Sequence, residues 1–322
     1  MNKRYLAFET GGTKLVAAVA GEDRRLLETR VIARRPGADA RESLTSLLEL
    51  GAALRREHEN QGGRFQAAAL GFGGTVDRAA RRPHRCLHED GWEAVDVVAR
   101  LEDALGIPSA IENDCKLAAL AESHYGAGRG AKTVFYVTLG TGVGGGLVHD
   151  GRVVELGPIG EAEIGHLVVN PDGPHCWCGS RGCVEAMCSG PGISRLAGWL
   201  AERESGAGSS HAEAVSSKQY IERWQAGDRF ARAVIEESTE ALATALGAAI
   251  NLTAAECVVV GGGLGAGSPE YLALASAKAV RRIVPYFRDR VRITASSLGE
   301  QVVTQGAAIL AAQIAQSPSA KA

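Results

Sequence analysis

Short apolar runs interrupted by glycine-rich turns dominate the first half of the chain. Residues 5–8 and 15–20 are apolar and flank Gly-Gly-Thr-Lys at residues 11–14, which predicts two strands joined by a tight turn. Residues 133–139 form another strand-like run, which enters the glycine-rich segment 140–146 before apolar positions resume. Both segments are therefore predicted to be β-hairpins with glycine turns.

Further along, apolar residues recur at helical spacing and alternate with buried strands. The predicted helices are residues 43–59, 95–105, 115–125, 229–251, 269–284 and 302–316. The predicted strands are residues 67–72, 110–112, 257–260 and 291–295. Residues 206–210 indicate a polar linker, and residues 317–322 a frayed tail. Hairpins followed by alternating helices and strands, in two halves of a 322-residue chain, predict an α/β fold with two lobes.

Composition and charge exclude several classes of partner. The chain is 45% hydrophobic and 22% charged, as in ordinary globular proteins. A net charge of -2 and an aromatic content of 5% argue against a nucleic-acid partner. The chain has no apolar run of about 18 residues, so we expect no membrane span. The N-terminal residues lack the apolar core of a signal peptide, which, with clustered cysteines, indicates the reducing cytoplasm.

Glycine is the unusual component, with 41 of 322 residues. Backbone N–H groups approach a phosphate closely only where no Cβ intervenes. Three clusters offer such groups, and two of them contain threonine. Their candidate phosphate-binding residues are Gly11, Gly12, Thr13, Lys14, Gly140, Thr141, Gly142, Gly144, Gly261, Gly262 and Gly263. Any single cluster is compatible with an ordinary turn, but three clusters that each follow a strand favour a nucleotide ligand.

Two segments resemble other nucleotide motifs. Residues 126–133 nearly spell a P-loop, but Ala131 replaces its second glycine and the segment leads into a strand, so we reject this interpretation. Residues 261–266 fit the dinucleotide fingerprint after a strand. Too little chain follows for a full dinucleotide domain, and Asp289 lies past a long helix, so this interpretation remains the weaker alternative.

A cluster of cysteines and histidine suggests a metal. His166, Cys176, Cys178 and Cys183 provide the Cys3His set of a four-coordinate structural zinc site. Unpaired buried cysteines and a redox pair are the alternatives, and His175 could replace His166 as a ligand. A second trio, His84, Cys86 and His88, lacks partners and indicates a solvated loop.

Polar residues at strand ends are candidates for catalysis. Asn113 and Asp114 lie where a strand ends and a helix begins, so either one could cap the helix. The functional alternative is that Asp114 is a general base at the carboxyl end of a strand. Glu163, His166 and Glu185 are polar groups near the cysteine cluster and suit the several hydroxyls of a sugar.

These residues together resemble the ROK family (repressors, open reading frames and sugar kinases), essentially over the whole chain. Three of the similar segments are residues 8–14, residues 112–122, which start with Glu-Asn-Asp, and residues 139–146. The fourth combines residues 163–166 with residues 176–185, which read Cys-Trp-Cys-Gly-Ser-Arg-Gly-Cys-Val-Glu. The last segment, which contains the zinc ligands, is the most specific of them. A bare Gly-Gly-Thr is far less specific.

The resemblance implies a two-lobed actin-like ATPase (ribonuclease H-like) fold with a central cleft and a small zinc-bound loop at residues 157–192. The lobes would be residues 1–114, with helix 303–316 packing back on them, and residues 115–302. It also implies transfer of the γ-phosphoryl group of ATP, with Mg2+, to a hexose hydroxyl, first of all the 6-hydroxyl of glucose. A homodimer in the cytoplasm is further expected.

The resemblance also implies roles for single residues. Asp114 would take the hydroxyl proton, and the glycine clusters would bind the nucleotide. The substrate-binding residues would be Asn113, Glu163, His166, Glu185 and Gly73. His166 would contact the sugar with one nitrogen and zinc with the other, so that zinc sets its tautomer.

Three departures from the family pattern leave the sugar open. Glu9 stands where glucokinase-like members usually carry Asp and where the fructokinase branch often has Glu. Lys116 replaces a usual Asn and could lower the pKa of Asp114 or meet the phosphates. Ala162 replaces a common Gly. Fructokinase and N-acetylhexosamine kinase activities are therefore alternatives.

A function of another class is a regulator. Repressors of the family carry an added helix-turn-helix, which we do not expect here because the first predicted strand starts by Tyr5. A non-catalytic sugar sensor remains the alternative from a different class.

Overall fold

A computed structural model describes residues 2–86, 89–160, 162–205 and 215–316. The chain divides into two compact units. Unit 1 comprises Met1–Ala121, Val153–Glu161 and Leu298–Ala322, and unit 2 comprises Glu122–Arg152 and Ala162–Ser297. The domain boundaries expected from the sequence stay a prediction. The expected linker at 206–210 and tail at 317–322 lie outside the described residues.

The described residues form an α/β fold. Its strands are β1 (Asn2–Thr10), β2 (Lys14–Ala20), β3 (Leu26–Ala33), β4 (Gly63–Phe72), β5 (Gly74–Asp77), β6 (Arg82–Cys86), β7 (Ser109–Asn113), β8 (Thr133–Leu139), β9 (Val143–His149), β10 (Arg152–Val153), β11 (Cys257–Gly261) and β12 (Arg292–Ala295). Its helices are α1 (Ala40–Asn60), α2 (Val97–Leu105), α3 (Asp114–Tyr125), α4 (Val184–Cys188), α5 (Gly190–Ser205), α6 (Ser217–Gln225), α7 (Arg229–Thr253), α8 (Gly262–Gly267), α9 (Pro269–Val280), α10 (Pro285–Arg288) and α11 (Val302–Gln316).

The two large sheets have the same strand pattern. One has the order β3-β2-β1-β4-β7 and the other β10-β9-β8-β11-β12. In each, an antiparallel hairpin (β1–β2 or β8–β9) continues into parallel strands, and a glycine turn joins the hairpin strands. The short strands β5 and β6 form a separate hairpin. Equivalent turns therefore follow the first strand of each sheet.

The core of unit 1 forms where helices cover the sheet. The apolar positions of α1 that recur at helical spacing, Leu44, Leu47 and Leu54, are buried in the same cluster as Phe8 of β1. Helix α11 packs against β1 and β4. A Cβ at Gly306 of α11 would lie 2.0 Å from the carbonyl oxygen of Leu117, so only glycine permits this approach. Residues at the end of the chain thus complete the core of unit 1.

The core of unit 2 surrounds β11 and α7. Every residue of β11 is buried, as expected for a strand that pairs in parallel with β8 and β12. Helix α7 is capped at its N-terminus by Asp228, whose side chain accepts a hydrogen bond from Ala231 N–H. This layer of β11 and α7 supports the turns that carry the predicted glycine clusters of unit 2.

The structure confirms both predicted hairpins and nine of the ten predicted helices and strands, within a few residues at their ends. One exception is residues 269–284, where α9 ends at Val280 and α10 starts at Pro285. Strand β3 was not predicted, because its half-exposed residues follow no clean alternation. Over the described ranges, no helix combines the length and hydropathy that crossing a bilayer requires.

Candidate functional site

The first glycine turn lies in unit 1, and hydrogen bonds to its backbone carbonyl groups fix its shape. Gly11 N–H donates to the carbonyl of Lys14 at 2.9 Å, which closes the turn. The guanidinium of Arg34 donates to Gly12 O at 3.2 Å, and the backbone N–H of Arg34 donates to Thr13 O at 2.9 Å. Apart from its two chain neighbours, none of the described residues has an atom within 4 Å of a Cβ placed on Gly12, so the turn leaves space for a ligand against its backbone.

Lys14 supplies a cation beside this turn. Its ammonium lies 3.6 Å from the carboxylate of Glu300, which is 93% exposed. Surface pairs of this kind stabilise a protein little, because water screens them. Lys14 could therefore exchange this partner for an anionic ligand at small cost.

Asn113 and Asp114 stand at the carboxyl end of β7 and the start of α3. The side-chain oxygen of Asn113 accepts from the N–H groups of Cys115 and Lys116 at 3.0 and 3.2 Å, so the amide caps the helix. Asp114 Oδ1 accepts from Asn113 Nδ2 at 3.1 Å and from Cys115 N–H at 2.7 Å. These donors orient the carboxylate of Asp114.

Gly73 is placed beside this carboxylate. A Cβ at Gly73 would lie 3.8 Å from Asp114 Oδ2 and 3.5 Å from the carbonyl oxygen of Thr10. The end of β1, the end of β4 and the start of α3 thus meet in unit 1. The structure brings together Gly73, Asp114 and the start of the first glycine turn.

Glu9 is a buried carboxyl at the end of β1. Thr304 of α11 donates to Glu9 Oε2 at 2.7 Å. Burial raises the pKa of Glu9, and the nearby negative charge of Asp114 adds to the rise, while Thr304 and Lys14 oppose it. A cation bound near Glu9 and Asp114 would relieve this unfavourable charge.

Lys116, the second departure from the family pattern, is buried in unit 1. Its ammonium lies 4.0 Å from Glu112 Oε1, one helical turn away in sequence, and its side chain is only 4% exposed. Arg78 donates to the other oxygen of Glu112 at 2.9 Å. Lys116 is thus engaged with a buried carboxylate, as buried charges require. We therefore assign Lys116 first to this buried charge cluster.

The second glycine turn lies in unit 2 and is joined to Glu185 of α4. Val143 N–H donates to Glu185 Oε2 at 3.0 Å. A Cβ at Gly142 would lie 2.7 Å from the same oxygen, so a larger residue there would require the side chain of Glu185 to shift. Glu185 Oε1 accepts from the indole N–H of Trp177. The carboxylate of Glu185 thus connects the glycine turn with the cysteine-rich loop.

The third cluster, residues 261–263, contains glycines of two kinds. A Cβ on Gly261 would lie 2.1 Å from the hydroxyl oxygen of Tyr136. A Cβ on Gly262 would lie 2.4 Å from the carbonyl oxygen of Leu139. Gly262 also has a φ of 81°, which disfavours other residues. Close packing therefore explains these two glycines. A Cβ at Gly263, by contrast, would meet no atom of the described part of the chain within 4 Å beyond its own helix and neighbours.

A cavity of 410 Å³ opens beside this cluster in unit 2. It is lined by Gly140, Thr141, Gly190, Pro191, Ser217, Lys218, Ile221, Gly263, Leu264, Gly267 and Ser268. Gly140 resembles Gly263, because a Cβ on Gly140 would meet no atom of the other described residues within 4 Å, its chain neighbours aside. The second and third glycine clusters thus bound one cavity that combines apolar walls with exposed backbone.

The cysteine cluster forms in unit 2 as the sequence predicts. One ligand atom from each of His166, Cys176, Cys178 and Cys183 lies within 4.8 Å of all the others. Cys176 Sγ is 3.8 Å from His166 Nδ1, and Cys178 Sγ is 3.6 Å from Cys183 Sγ. Ligands of a tetrahedral zinc ion are separated by about 3.5–3.8 Å, so the donor set and these spacings fit zinc.

His166 is the histidine of the cluster. His175 is exposed and is not part of the group that gathers around the thiols. Because His166 turns Nδ1 toward Cys176, its Nε2 is left for another partner. The alternative ligand set with His175 is wrong for this structure.

The protonation state of the thiols also affects metal binding by the cluster. Burial raises the pKa of Cys183 to about 12. A hydrogen bond from the backbone of Ser180 lowers the pKa of Cys178. Three neighbouring thiolates would repel one another, and the positive charge of a bound cation would offset this repulsion and favour loss of the thiol protons.

The remaining candidates lie at the edges of these groups. Glu163 is exposed and directly precedes the short 3-10 helix Ile164–His166. His84 is exposed on β6, and His88 lies outside the described residues. Gly144 lies in β9, where it pairs with Thr138 of β8.

Sequence reasoning missed two groups at the site. Arg34 directly follows β3 and reaches the first glycine turn, and no sequence signal marks it. Trp177 lies between two cysteines of the cluster, 4.9 Å from His166 in an edge-to-face arrangement. A large aromatic residue between two metal ligands was the available signal.

Comparison with known proteins adds to this geometry. The profile of the ROK family matches residues 5–314. A glucokinase of Thermotoga maritima is 30% identical over 315 residues, or 95% of this chain and 96% of the relative. An N-acetylmannosamine kinase of Escherichia coli is 33% identical over 308 residues, or 94% and 98%.

A solved structure agrees in fold. The crystal structure of a ROK family glucokinase from Streptomyces griseus, in complex with glucose and AMPPNP, is 29% identical and superposes with a TM-score of 0.73. The match covers 96% of this chain and 99% of that chain. The chain therefore belongs to the ROK family and is one of its kinases.

Proposed function

We propose that this kinase transfers the γ-phosphoryl group of ATP to a hydroxyl of a hexose, with the 6-hydroxyl of glucose as the first candidate. The observation that carries this proposal is the oriented carboxylate of Asp114. Asn113 caps α3 and donates to Asp114 Oδ1, and this orients, at the carboxyl end of β7 and beside Gly73, the carboxylate that we propose as the general base. Ligands of α/β proteins bind at such strand ends.

Asp114 would take the proton of the attacking hydroxyl. The sugar oxygen forms a bond to the γ-phosphorus, the bond from that phosphorus to the β–γ bridging oxygen breaks, and ADP leaves. Most of the rate enhancement comes from positioning and from charge stabilisation, as in other phosphoryl transfers. Asn113, Glu163, His166, Glu185 and Gly73 are the groups that we assign to the sugar.

The nucleotide is assigned to the glycine clusters. The 410 Å³ cavity beside Gly140 and Gly263 offers apolar walls for a base and ribose. Lys14, Gly12 and Thr13 in unit 1 would contact phosphate. The relative from Streptomyces griseus was solved with AMPPNP, which supports ATP as the donor. The matching strand pattern of the two sheets supports an actin-like ATPase fold.

Two metals fit the donors that the chain offers. Mg2+ supplies charge neutralisation of the phosphates, and the carboxylate of Glu9, beside that of Asp114, is the oxygen donor that suits it. Zinc suits the four-ligand cluster, whose positions are all filled by protein, so its role would be structural. His166 would then offer Nε2 to the sugar in a fixed tautomer.

A second candidate substrate is N-acetylmannosamine. The relative from Escherichia coli with this activity is 33% identical, slightly above the 30% of the glucokinase from Thermotoga maritima. Fructose is a further alternative because Glu9 is typical of the fructokinase branch.

We expect a homodimer in the cytoplasm, which size-exclusion chromatography with light scattering and cell fractionation would check.

A coupled ADP-release assay with ATP, Mg2+ and a panel of hexoses tests the proposal. Asp114→Asn should lower kcat about 10²- to 10⁴-fold, because the general base is lost. Asp96→Asn is the matched control: Asp96 caps α2, and asparagine caps as well as aspartate. If the wild type releases negligible ADP with every sugar, the proposed kinase reaction is refuted and the alternative, a non-catalytic sugar sensor, is favoured.

A further inference from the structure

Trp177 has an unusual environment for a large aromatic side chain. It lies between Cys176 and Cys178 of the metal cluster and remains 50% exposed. A tryptophan that served only packing would be expected to bury more of its apolar surface. Its position in the loop is instead fixed by the two flanking cysteines.

Two contacts hold the indole beside the residues that we assign to the sugar. The ring stands edge-to-face on His166, with centroids 4.9 Å apart and planes at 83°. The indole N–H donates to Glu185 Oε1. Trp177 therefore touches both His166 and Glu185, although it binds neither the metal nor the nucleotide in the proposed scheme.

Glu185 is thereby held from two sides. Val143 N–H occupies Oε2 at 3.0 Å, and Trp177 occupies Oε1. An ionised carboxylate accepts about four hydrogen bonds, so two acceptor positions are left for sugar hydroxyls. The two donors come from different parts of unit 2: one begins β9, and the other is flanked by two cysteines of the cluster.

We propose that Trp177 is a positioning residue, which holds the carboxylate of Glu185 in the orientation that binds the hexose. The inference rests on the proposed function, since it takes Glu185 as a sugar ligand. Without the indole N–H, one oxygen of Glu185 loses its donor and the carboxylate gains freedom that sugar binding must then remove. The cysteine-rich loop thus has a role in substrate affinity beyond local stability.

Trp177→Phe removes the N–H and keeps an aromatic ring. We expect a 3- to 10-fold rise, as an order-of-magnitude estimate, in the KM and Kd of the accepted hexose, because one partly exposed charge-assisted hydrogen bond is lost. The KM for ATP and the zinc content should stay at the wild-type values. Trp177→His, which retains a ring N–H, should restore part of the affinity.

Trp199→Phe is the matched control. Trp199 lies on α5 of the same unit, stacks on Arg203, and is not one of the four residues of the cluster. This change should leave hexose affinity unaltered. Binding of the sugar should change the tryptophan fluorescence of the wild type and of Trp199→Phe, and this signal should fall in Trp177→Phe.

The outcomes separate the two proposals. An active wild type with unchanged hexose affinity in Trp177→Phe overturns the role of Trp177 and leaves the kinase assignment standing. Loss of zinc or a lowered Tm in Trp177→Phe, without restoration by Trp177→His, would make Trp177 merely structural and also overturns it. A wild type with neither hexose binding nor turnover refutes the proposed function itself.

Discussion

The backbone N–H of Val143 donates to the carboxylate of Glu185 at 3.0 Å. Val143 begins the strand that leaves the second glycine turn, and Glu185 lies in the first turn of α4. This hydrogen bond joins the turn that we assign to the nucleotide with a carboxylate that we assign to the sugar. Within unit 2, the two binding functions that we propose would share one carboxylate.

Glu185→Gln tests this connection. The amide can accept from only one of its two present donors, and its NH2 group faces the other donor. We expect a rise of about 10-fold or more in the hexose KM, with a smaller change in the affinity for ADP. Isothermal titration of each ligand measures both. Equal losses for both ligands would show that the substitution disrupts unit 2 as a whole.

Zinc content tests the cysteine cluster. Purified protein should contain about one zinc ion per chain by mass spectrometry of the metal, since four protein ligands fit the ion. Cys178→Ser should lose most of the zinc and lower the Tm, because metal binding contributes to folding. Cys178 is exposed, so the substitution itself disturbs packing little.

Cys86→Ser is the control for this experiment. Cys86 is half-buried on β6 in unit 1 and lies outside the cluster. Its substitution should leave the zinc content unchanged. Wild-type protein with well under one zinc ion per chain would contradict the assignment.

Gly306→Ala tests the packing of α11 against α3. A Cβ at this position would lie 2.0 Å from a backbone oxygen of Leu117, and backbone cannot move aside easily. We expect a decrease of about 1–3 kcal/mol in the free energy of unfolding, as for an overpacked core. Urea denaturation measures it.

The same substitution at Gly198 of α5 is the matched control. A Cβ there meets no atom within 4 Å, so alanine should be neutral or stabilise the helix by up to about 1 kcal/mol. If both alanine variants unfold at the same urea concentration as wild type, the close approach of α11 is not needed for stability.

Glu9 should make stability depend on pH. Burial raises its pKa in the folded protein, so the folded chain binds this proton more tightly than the unfolded chain. The stabilisation is complete below the unfolded-state pKa of about 4.3 and is lost as the pH rises through the folded-state pKa. Glu9→Gln remains neutral and can still accept from Thr304.

Thermal unfolding without nucleotide or Mg2+ measures this effect. Between about pH 4 and pH 7, the Tm of Glu9→Gln should rise relative to that of the wild type. A difference between the two proteins that does not change with pH would show that the Glu9 carboxyl is not perturbed by folding.

Much of the fold could be predicted because the local pattern and the final contacts agree. The hairpin at residues 11–14 needs only two apolar runs and glycine between them, and helix 302–316 is predicted to the residue. Strand β3 escaped prediction because a half-exposed strand shows no clear alternation. Its existence depends on pairing with β2, which is a contact made by the folded chain.

The candidate site could likewise be predicted from the sequence only in part. The Cys3His set could be found in the sequence, because ligand type and short spacing specify a metal site. The choice between His166 and His175 could not, because both precede the first cysteine of the cluster and only folding brings one of them to the thiols. Lys116 seemed free to act on Asp114, and only the structure places it against Glu112.

The sequence by itself determined the two glycine hairpins, the three clustered cysteines and the Asn113–Asp114 pair, because turn geometry, ligand chemistry and helix capping act over a few residues. The tertiary structure decided what residues distant in the chain do to one another. It showed that Thr304 and burial act on Glu9, that Gly261 and Gly262 serve packing while Gly263 faces open space, and that Val143 and Trp177 hold Glu185. These properties depend on desolvation and on contacts across elements, which no local pattern encodes.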